Sequence, residues 1–169
     1  MIKLGIVGTG GMANAHAMAF KNINEVEIVA VCDVIEDRVR NFAKEYNINQ
    51  TFTSFDEMLE NCELDAISNV TPDSFHKEIA LKSLNKNKHI FSEKPLAENF
   101  PDAEEMYKGT LNTNCINMVN LSYRNSSGWQ SLSKMIQNNE LGPVKHVDAS
   151  YYQSWLTCKS VSYTHLRAH

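Results

Sequence analysis

Apolar residues fall in short dense runs at 2–7, 26–32, 50–53, 64–70, 89–92 and 115–121, and several of these runs are rich in Val and Ile. Such runs predict strands. Between them lie longer stretches, at 12–22, 35–46, 54–61, 71–86 and 99–112, whose apolar residues recur at helical spacing. Several carry their own start signals: Ser54-Phe55-Asp56-Glu57 is a capping box, and Pro101 falls in a first helical turn, where its missing N–H costs little. In the fourth helix Phe75, Ile79, Ala80 and Leu84 are expected to form the buried stripe, with the lysines outward. Six strands alternating with helices demand a parallel sheet covered on both faces, so the fold class is α/β, doubly wound.

After Leu121 the organisation changes. A polar loop follows Tyr123-Arg124, residues 126–139 read as a helix, Leu141-Gly142-Pro143 ends it, and residues 144–154 alternate as one long strand. These features divide the chain at residue 123. Residues 1–122 are expected to form the first domain, and residues 123–159 read as the start of a second, which the family resemblance described below implies to be a truncated α+β domain.

The first strand runs into Gly8-Thr9-Gly10-Gly11-Met12-Ala13. Gly8 suits a tight turn, Gly10 lets a pyrophosphate approach the backbone, and Ala13 takes the third small position of a G-x-G-x-x-A turn. Three glycines alone are a weak signal. The second strand, however, ends at Asp33, 23 positions after Gly10. There a carboxylate can accept the ribose hydroxyls of an adenosine and repels a 2′-phosphate. The competing reading makes Asp33 the cap of the next helix; the spacing favours the ribose. Glycine turn, Asp33, Thr71-Pro72 and Glu93-Lys94-Pro95 all fall at carboxyl ends of strands, where doubly wound folds bind ligands. The expected cofactor is therefore NAD in preference to NADP, although Arg38 lies near enough to serve a 2′-phosphate.

Composition narrows the class. With 16 basic and 20 acidic residues the net charge is −4 and no block of like charge occurs, which argues against nucleic acid and membrane surfaces as partners. No apolar run is long enough to span a bilayer. Cys32, Cys62, Cys115 and Cys158 are scattered, with Cys32 and Cys115 inside apolar strand patterns. They read as reduced thiols of a cytoplasmic protein, and no metal site is expected.

Five stretches together resemble one family: GIVGTGGMANAHAMAF (5–20), AVCD (30–33), NVTPDSFHKEIALKSL (69–84), HIFSEKPLA (89–97) and LGPVKHVDASYYQSWL (141–156). The chain resembles the glucose–fructose oxidoreductase/inositol dehydrogenase (Gfo/Idh/MocA) family over almost all of residues 1–157. The pairing of T-P-x-x-x-H with a downstream E-K-P is its specific mark. The resemblance implies a Rossmann NAD(P)-binding domain and an oxidoreductase acting on a sugar, cyclitol or related polyol, homo-oligomeric in its full-length form. It implies that Lys94 is the catalytic lysine beside the nicotinamide, that Glu93 orients it, and that the Lys94–Pro95 bond is cis. Gly8, Thr9, Gly10, Gly11, Met12, Asp33, Thr71, Pro72, His76, Glu93 and Lys94 line the cofactor side, with His76 more a support than a reagent. Tyr123 and Arg124 border the substrate. His16, on the first helix, reads as structural. The family also includes NAD-dependent glycosidases and non-catalytic NAD-sensing regulators; Lys94 speaks against a regulator.

The family's D-x-x-x-H pair, which carries its usual general base, does not occur after residue 141. Residues 160–169 fit neither the family nor a core pattern and are expected to be a non-native tail. A fragment of this kind is expected to bind NAD weakly, to aggregate or dimerise, and to turn over little or no substrate.

Overall fold

The computed structural model describes residues 1–152. The chain divides into two compact units, Met1–Ser122 and Tyr123–His169. In the first, β1 (Ile2–Val7), α1 (Gly11–Lys21), β2 (Val26–Cys32), α2 (Glu36–Tyr46), β3 (Gln50–Phe52), α3 (Phe55–Asn61), β4 (Ala66–Asn69), α4 (His76–Asn85), β5 (His89–Ser92), α5 (Phe100–Thr110) and β6 (Asn117–Val119) follow one another. The strands form one sheet in the order β3-β2-β1-β4-β5-β6, with every pair parallel. The order reverses between β1 and β4, and at such a switch point a crevice opens beyond the strands' carboxyl ends.

Alternation along the strands builds a core on each face. Leu4, Ile6 and Val31 meet Ala13 and Ala17 of α1 and Val39 and Phe42 of α2. Val7, Ala30 and Ile67 meet Met58 of α3, Ile79 and Ala80 of α4 and Met106 of α5. Ala13 and Ala17 are wholly buried, so α1 lies close against the sheet. Local signals act where expected: the Ser54 hydroxyl accepts the Glu57 N–H at 3.4 Å and opens α3, and Asn99 accepts the Asp102 N–H at 3.0 Å and opens α5.

The structure departs from the sequence reading in four places. A 3-10 turn over Asp73–Phe75 delays α4 until His76. This rotates the buried stripe onto His76, Ile79, Ala80, Ser83 and Leu84 and leaves Phe75 52 % exposed. The run at 115–121 pairs only over Asn117–Val119, because β6 is an edge with a single neighbour, and Cys115 precedes the strand. The run at 64–70 is a strand only over Ala66–Asn69. Residues 144–152 form no strand, since a strand needs a hydrogen-bonded neighbour and this stretch has none among the described residues. The remainder of that expected strand, Cys158 and residues 160–169 lie outside the described residues.

The second unit holds a 3-10 turn that begins at Ser122, then α6 (Ser127–Gln137). None of residues 123–152 is buried. No helix among the described residues is long and apolar enough to cross a membrane.

Candidate functional site

Parallel pairing sets the turns after β1, β2, β4, β5 and β6 on one edge of the sheet. The ladder continues into these turns. Gly8 N–H bonds the Cys32 carbonyl at 2.8 Å, Val70 N–H the Val7 carbonyl at 2.8 Å, Glu93 N–H the Asn69 carbonyl at 2.9 Å and Asn120 N–H the Ser92 carbonyl at 2.8 Å.

The turn after β1 has an open backbone. Gly8 has φ +88°, and a Cβ there would lie 2.7 Å from the Val70 carbonyl oxygen. Only glycine meets both conditions. At Gly10 and Gly11 an added Cβ would meet nothing within 4 Å, so open space faces the backbone. Gly10 is also the N-cap of α1, and no side chain caps the helix. Its first N–H groups and the positive end of its dipole thus point into free space, an arrangement that accepts an anion. Met12 is exposed beside them.

Asp33 is buried, and its carboxylate is tied to this same turn. Oδ2 accepts the Thr9 N–H at 2.8 Å and the Thr9 hydroxyl at 2.9 Å, while Oδ1 accepts the Ile35 N–H at 3.0 Å. Asp33 thus steadies the chain into α2, yet Oδ1 accepts a single hydrogen bond and has acceptor capacity to spare. Arg38 Nη1 stands 3.7 Å from Oδ2 on a half-exposed side chain. The exposed apolar pair Val34 and Ile35 follows directly, a surface against which a flat base can lie. Open glycine backbone, an uncapped helix start and a buried carboxylate at one strand edge fit a dinucleotide.

After β4, Asn69 folds the loop. Its Oδ1 accepts the Thr71 hydroxyl at 2.7 Å and the Thr71 N–H at 3.3 Å, the local bonding that asparagine favours in turns. Thr71 is thereby set beside Gly8, where an added Cβ would lie 2.9 Å from the Thr71 amide nitrogen. His76 is buried, with Nε2 2.9 Å from the Thr71 carbonyl and Nδ1 2.8 Å from the Pro95 carbonyl. Carbonyls only accept, so the ring donates to both only with both nitrogens protonated. Neither nitrogen is left for a ligand, and His76 serves as a brace between two loops.

The turn after β5 carries Glu93, Lys94 and Pro95, and the Lys94–Pro95 bond is cis. Glu93 is buried; Oε1 lies 2.9 Å from His16 Nε2 and accepts the Asn120 amide at 2.6 Å, and Oε2 accepts the Lys94 N–H at 3.1 Å. Burial alone would raise the Glu93 carboxyl; bonds from His16, Asn120 and the Lys94 amide outweigh it and hold the group below the ordinary carboxylate range. His16 Nδ1 lies 2.8 Å from the Ser68 hydroxyl. A carboxylate cannot donate, so Nε2 carries a proton, and Ser68 can donate to Nδ1. Lys94 is exposed, and its amine has no ion pair among the described residues. A lysine with no ion pair among the described residues is thus carried next to a buried carboxylate that accepts its backbone N–H.

His16, Ser68, Asn69 and Asn120 complete this edge although the motifs did not single them out for it. A signal existed: His16 falls within the Ala13–Ala17 stripe of α1, and Ser68-Asn69 ends a run that is otherwise apolar. A polar residue in a buried stripe needs a partner across the interface. Tyr123 and Arg124 belong to the second unit, where the Tyr123 hydroxyl meets that of Tyr151 and the Arg124 carbonyl accepts the Gln130 amide at 2.6 Å. Among the cysteines, burial and then the Asp33 charge push the Cys32 thiol up to about 12, which makes it a poor nucleophile.

Comparison with known proteins agrees with this geometry. Glucose-6-phosphate 3-dehydrogenase of Bacillus subtilis (strain 168) is 32% identical over 151 residues, which cover 89% of this chain and 42% of that protein. Myo-inositol 2-dehydrogenase of Thermotoga maritima is 26% identical over 141 residues, 83% of this chain and 42% of that one. The crystal structure of scyllo-inositol dehydrogenase from Lactobacillus casei with bound NAD(H) and scyllo-inositol matches with a TM-score of 0.80 at 26% identity, over 84% of this chain and 42% of that chain. The chain thus spans less than half the length of these relatives. A model of the oxidoreductase family with an NAD-binding Rossmann fold matches residues 2–121, and the chain belongs to that family, Gfo/Idh/MocA.

Proposed function

We propose that these residues are the cofactor-binding part of an NAD-dependent oxidoreductase whose substrate is a hydroxyl of a sugar, cyclitol or related polyol. One observation carries the reading: Lys94, exposed and without an ion pair among the described residues, stands on a buried Glu93 at the same strand edge as the open Gly8–Gly10 turn. The backbone N–H groups at Gly11 and Met12 hold the pyrophosphate, and Asp33 takes the adenosine ribose through Oδ1. Thr71 and Pro72 line the ribose–phosphate path. NAD, when bound, supplies the hydride acceptor. Lys94 Nζ assists removal of the proton from the substrate hydroxyl as the carbon that bears it is oxidised. Tyr123 and Arg124 remain the candidates for the substrate side.

NAD is preferred over NADP because the buried Asp33 charge repels a 2′-phosphate, and the single, half-exposed Arg38 is already paired with that carboxylate. Calorimetric titration of the purified chain tests this. NAD is expected to bind at least about tenfold tighter, a difference of about 1.4 kcal/mol; NADP binding as tightly as NAD would overturn the assignment. The chain spans 42% of its relatives' length, and no polyol-dependent NADH formation is expected from it. Appreciable turnover would show that these residues suffice for the reaction.

A further inference from the structure

From Lys94 to Glu98 no backbone N–H or carbonyl pairs with another backbone group among the described residues. The loop that presents the lysine is therefore fixed by side chains. Among the described residues its hydrogen bonds are two: the Lys94 N–H donates to Glu93 Oε2 at 3.1 Å, and the Pro95 carbonyl lies 2.8 Å from His76 Nδ1 as its acceptor. Each leads to a buried histidine. Glu93 is held by His16 at 2.9 Å, and His16 and His76 are 4% and 1% exposed.

The two histidines approach from opposite faces of the sheet. His16 sits on α1, whose Ala13 and Ala17 pack with Leu4 and Ile6. His76 opens α4, whose Ile79 and Ala80 pack with Val7 and Ile67. Both helices start at a cofactor loop: α1 leaves the Gly8–Gly10 turn, and α4 follows Thr71-Pro72. We infer that His16 and His76 are positioning residues for Lys94, each holding one of its two chain neighbours, so that the lysine is placed relative to the phosphate turn by a two-sided brace. The inference rests on the reading of Lys94 as the residue beside the nicotinamide and deepens it.

The physics favours a stiff brace. Glu93 is a buried carboxylate, and removing a donor leaves its charge undercompensated, so the pair is held more firmly than two exposed groups would be. Ser68, through Nδ1, fixes the ring plane of His16 from β4, and Asn120 supplies the second donor to the same carboxylate oxygen from the end of β6. Three strands therefore converge on one side-chain position.

Hydrogen exchange on the whole 169-residue chain without ligand tests the brace directly. His16→Ala is expected to speed exchange of the Lys94 amide, the loop N–H that Glu93 accepts, about tenfold, the usual worth of one charge-assisted hydrogen bond, while β1 and β2 are unchanged. His16→Gln, whose amide can donate to Glu93 as Nε2 does, restores protection. Unchanged exchange of the Lys94 amide, or an equal rise throughout the domain, overturns the inference. Should His16→Ala fail to fold, Asn120→Ala, at a partly exposed site, is expected to raise loop exchange by about threefold, and no rise there is equally fatal. A second arm compares NADH with ADP-ribose, which lacks only the nicotinamide. His16→Ala should weaken NADH about tenfold and leave ADP-ribose within about twofold; equal loss of both marks a merely structural histidine and overturns the inference. If Lys94→Ala changes neither affinity and the unsubstituted chain binds both ligands alike, the reading of Lys94 itself falls, a result separable because the exchange arm uses no ligand.

Discussion

The two units of this chain obey the same patterning rules and reach opposite ends. In Met1–Ser122 the apolar stripes of α1 to α5 find a sheet, and residues such as Ile6, Met58 and Ile67 lose all exposure. In the second unit α6 presents Trp129, Leu132, Met135 and Ile136 at helical spacing, yet these remain 37–55% exposed, and the alternating residues 144–152 form no strand. Periodicity announces which face of an element wants burial. It does not supply the surface that buries it, and a stretch with no hydrogen-bonded neighbour among the described residues forms no ladder.

The largest effect that sharpens this contrast comes from trimming one apolar residue in each unit. Ile67→Ala, at a wholly buried position, is expected to cost about 2–5 kcal/mol in denaturant unfolding, because it loses the transfer energy and leaves a cavity. Leu132→Ala on α6 should stay within about 0.5 kcal/mol. Both tryptophans, Trp129 and Trp155, lie after the boundary, so their fluorescence reports the second unit while circular dichroism is dominated by the first. A Leu132→Ala cost comparable with that of Ile67→Ala would show α6 to be part of the same cooperative core and would break the comparison.

Next in size is Gly8→Ala. The alanine must accept φ +88° and place its Cβ 2.7 Å from a backbone oxygen, and backbone cannot yield as the tip of a side chain can. A loss of about 1–3 kcal/mol is expected, with NAD binding weakened more than tenfold. Gly142→Ala, also at positive φ (66°) but with nothing within 4 Å of its Cβ, should cost about 1 kcal/mol and leave NAD binding unchanged. Titration of both variants with NAD separates the glycine that shapes a site from the one that shapes a turn.

How much of this was legible in the sequence follows the same division. The alternation of strands and helices and the glycine turn could be read because their causes are local or topological: Gly8, Ala13 and Asp33 sit at spacings that a βαβ unit imposes. The start of α4 could not, because whether Asp73-Ser74-Phe75 continues as a helix or tightens into a 3-10 turn is settled by Asn69 and His76 reaching over the loop. The role of His16 was equally hidden. Its partner Glu93 is 77 residues away, and only the register of β4 between β1 and β5 brings Ser68, Glu93 and Asn120 to one point. Pattern reads faces; it does not read which polar groups meet across them.

A smaller effect concerns pH. The Glu93 carboxyl is held below its ordinary value in the fold, so it binds its proton more readily when unfolded. Its contribution to stability is complete above about pH 4.3, the ordinary glutamate value, and is lost as pH falls through the lower folded-state value. Glu93→Gln should cost about 1.5–3 kcal/mol near neutrality, the range for a charged hydrogen-bonding group, and should flatten the acid limb of a stability–pH curve. No carboxylate among residues 123–152 is buried, so the acid limb belongs to the first unit, and an unchanged limb in Glu93→Gln would place it elsewhere.

The smallest effect bears on the second unit alone. Leu132→Lys puts a charge in the middle of the apolar stripe of α6, a change that in α1 or α4 would bury an unpaired ammonium and be ruinous. Here the position is 37% exposed, lysine is a good helix former, and its stem can lie along Trp129 and Met135 with the amine in water. The unfolding free energy should therefore move by less than about 0.5 kcal/mol. What should change is association, since the stripe offers an apolar surface with no partner among the described residues and a charge in its centre makes burial against another molecule costly. Sedimentation of the substituted and unsubstituted chains over a range of concentrations measures this. A stability loss of several kcal/mol with no change in association would mean that α6 is already covered within its own chain, and that the contrast between the two units is one of degree.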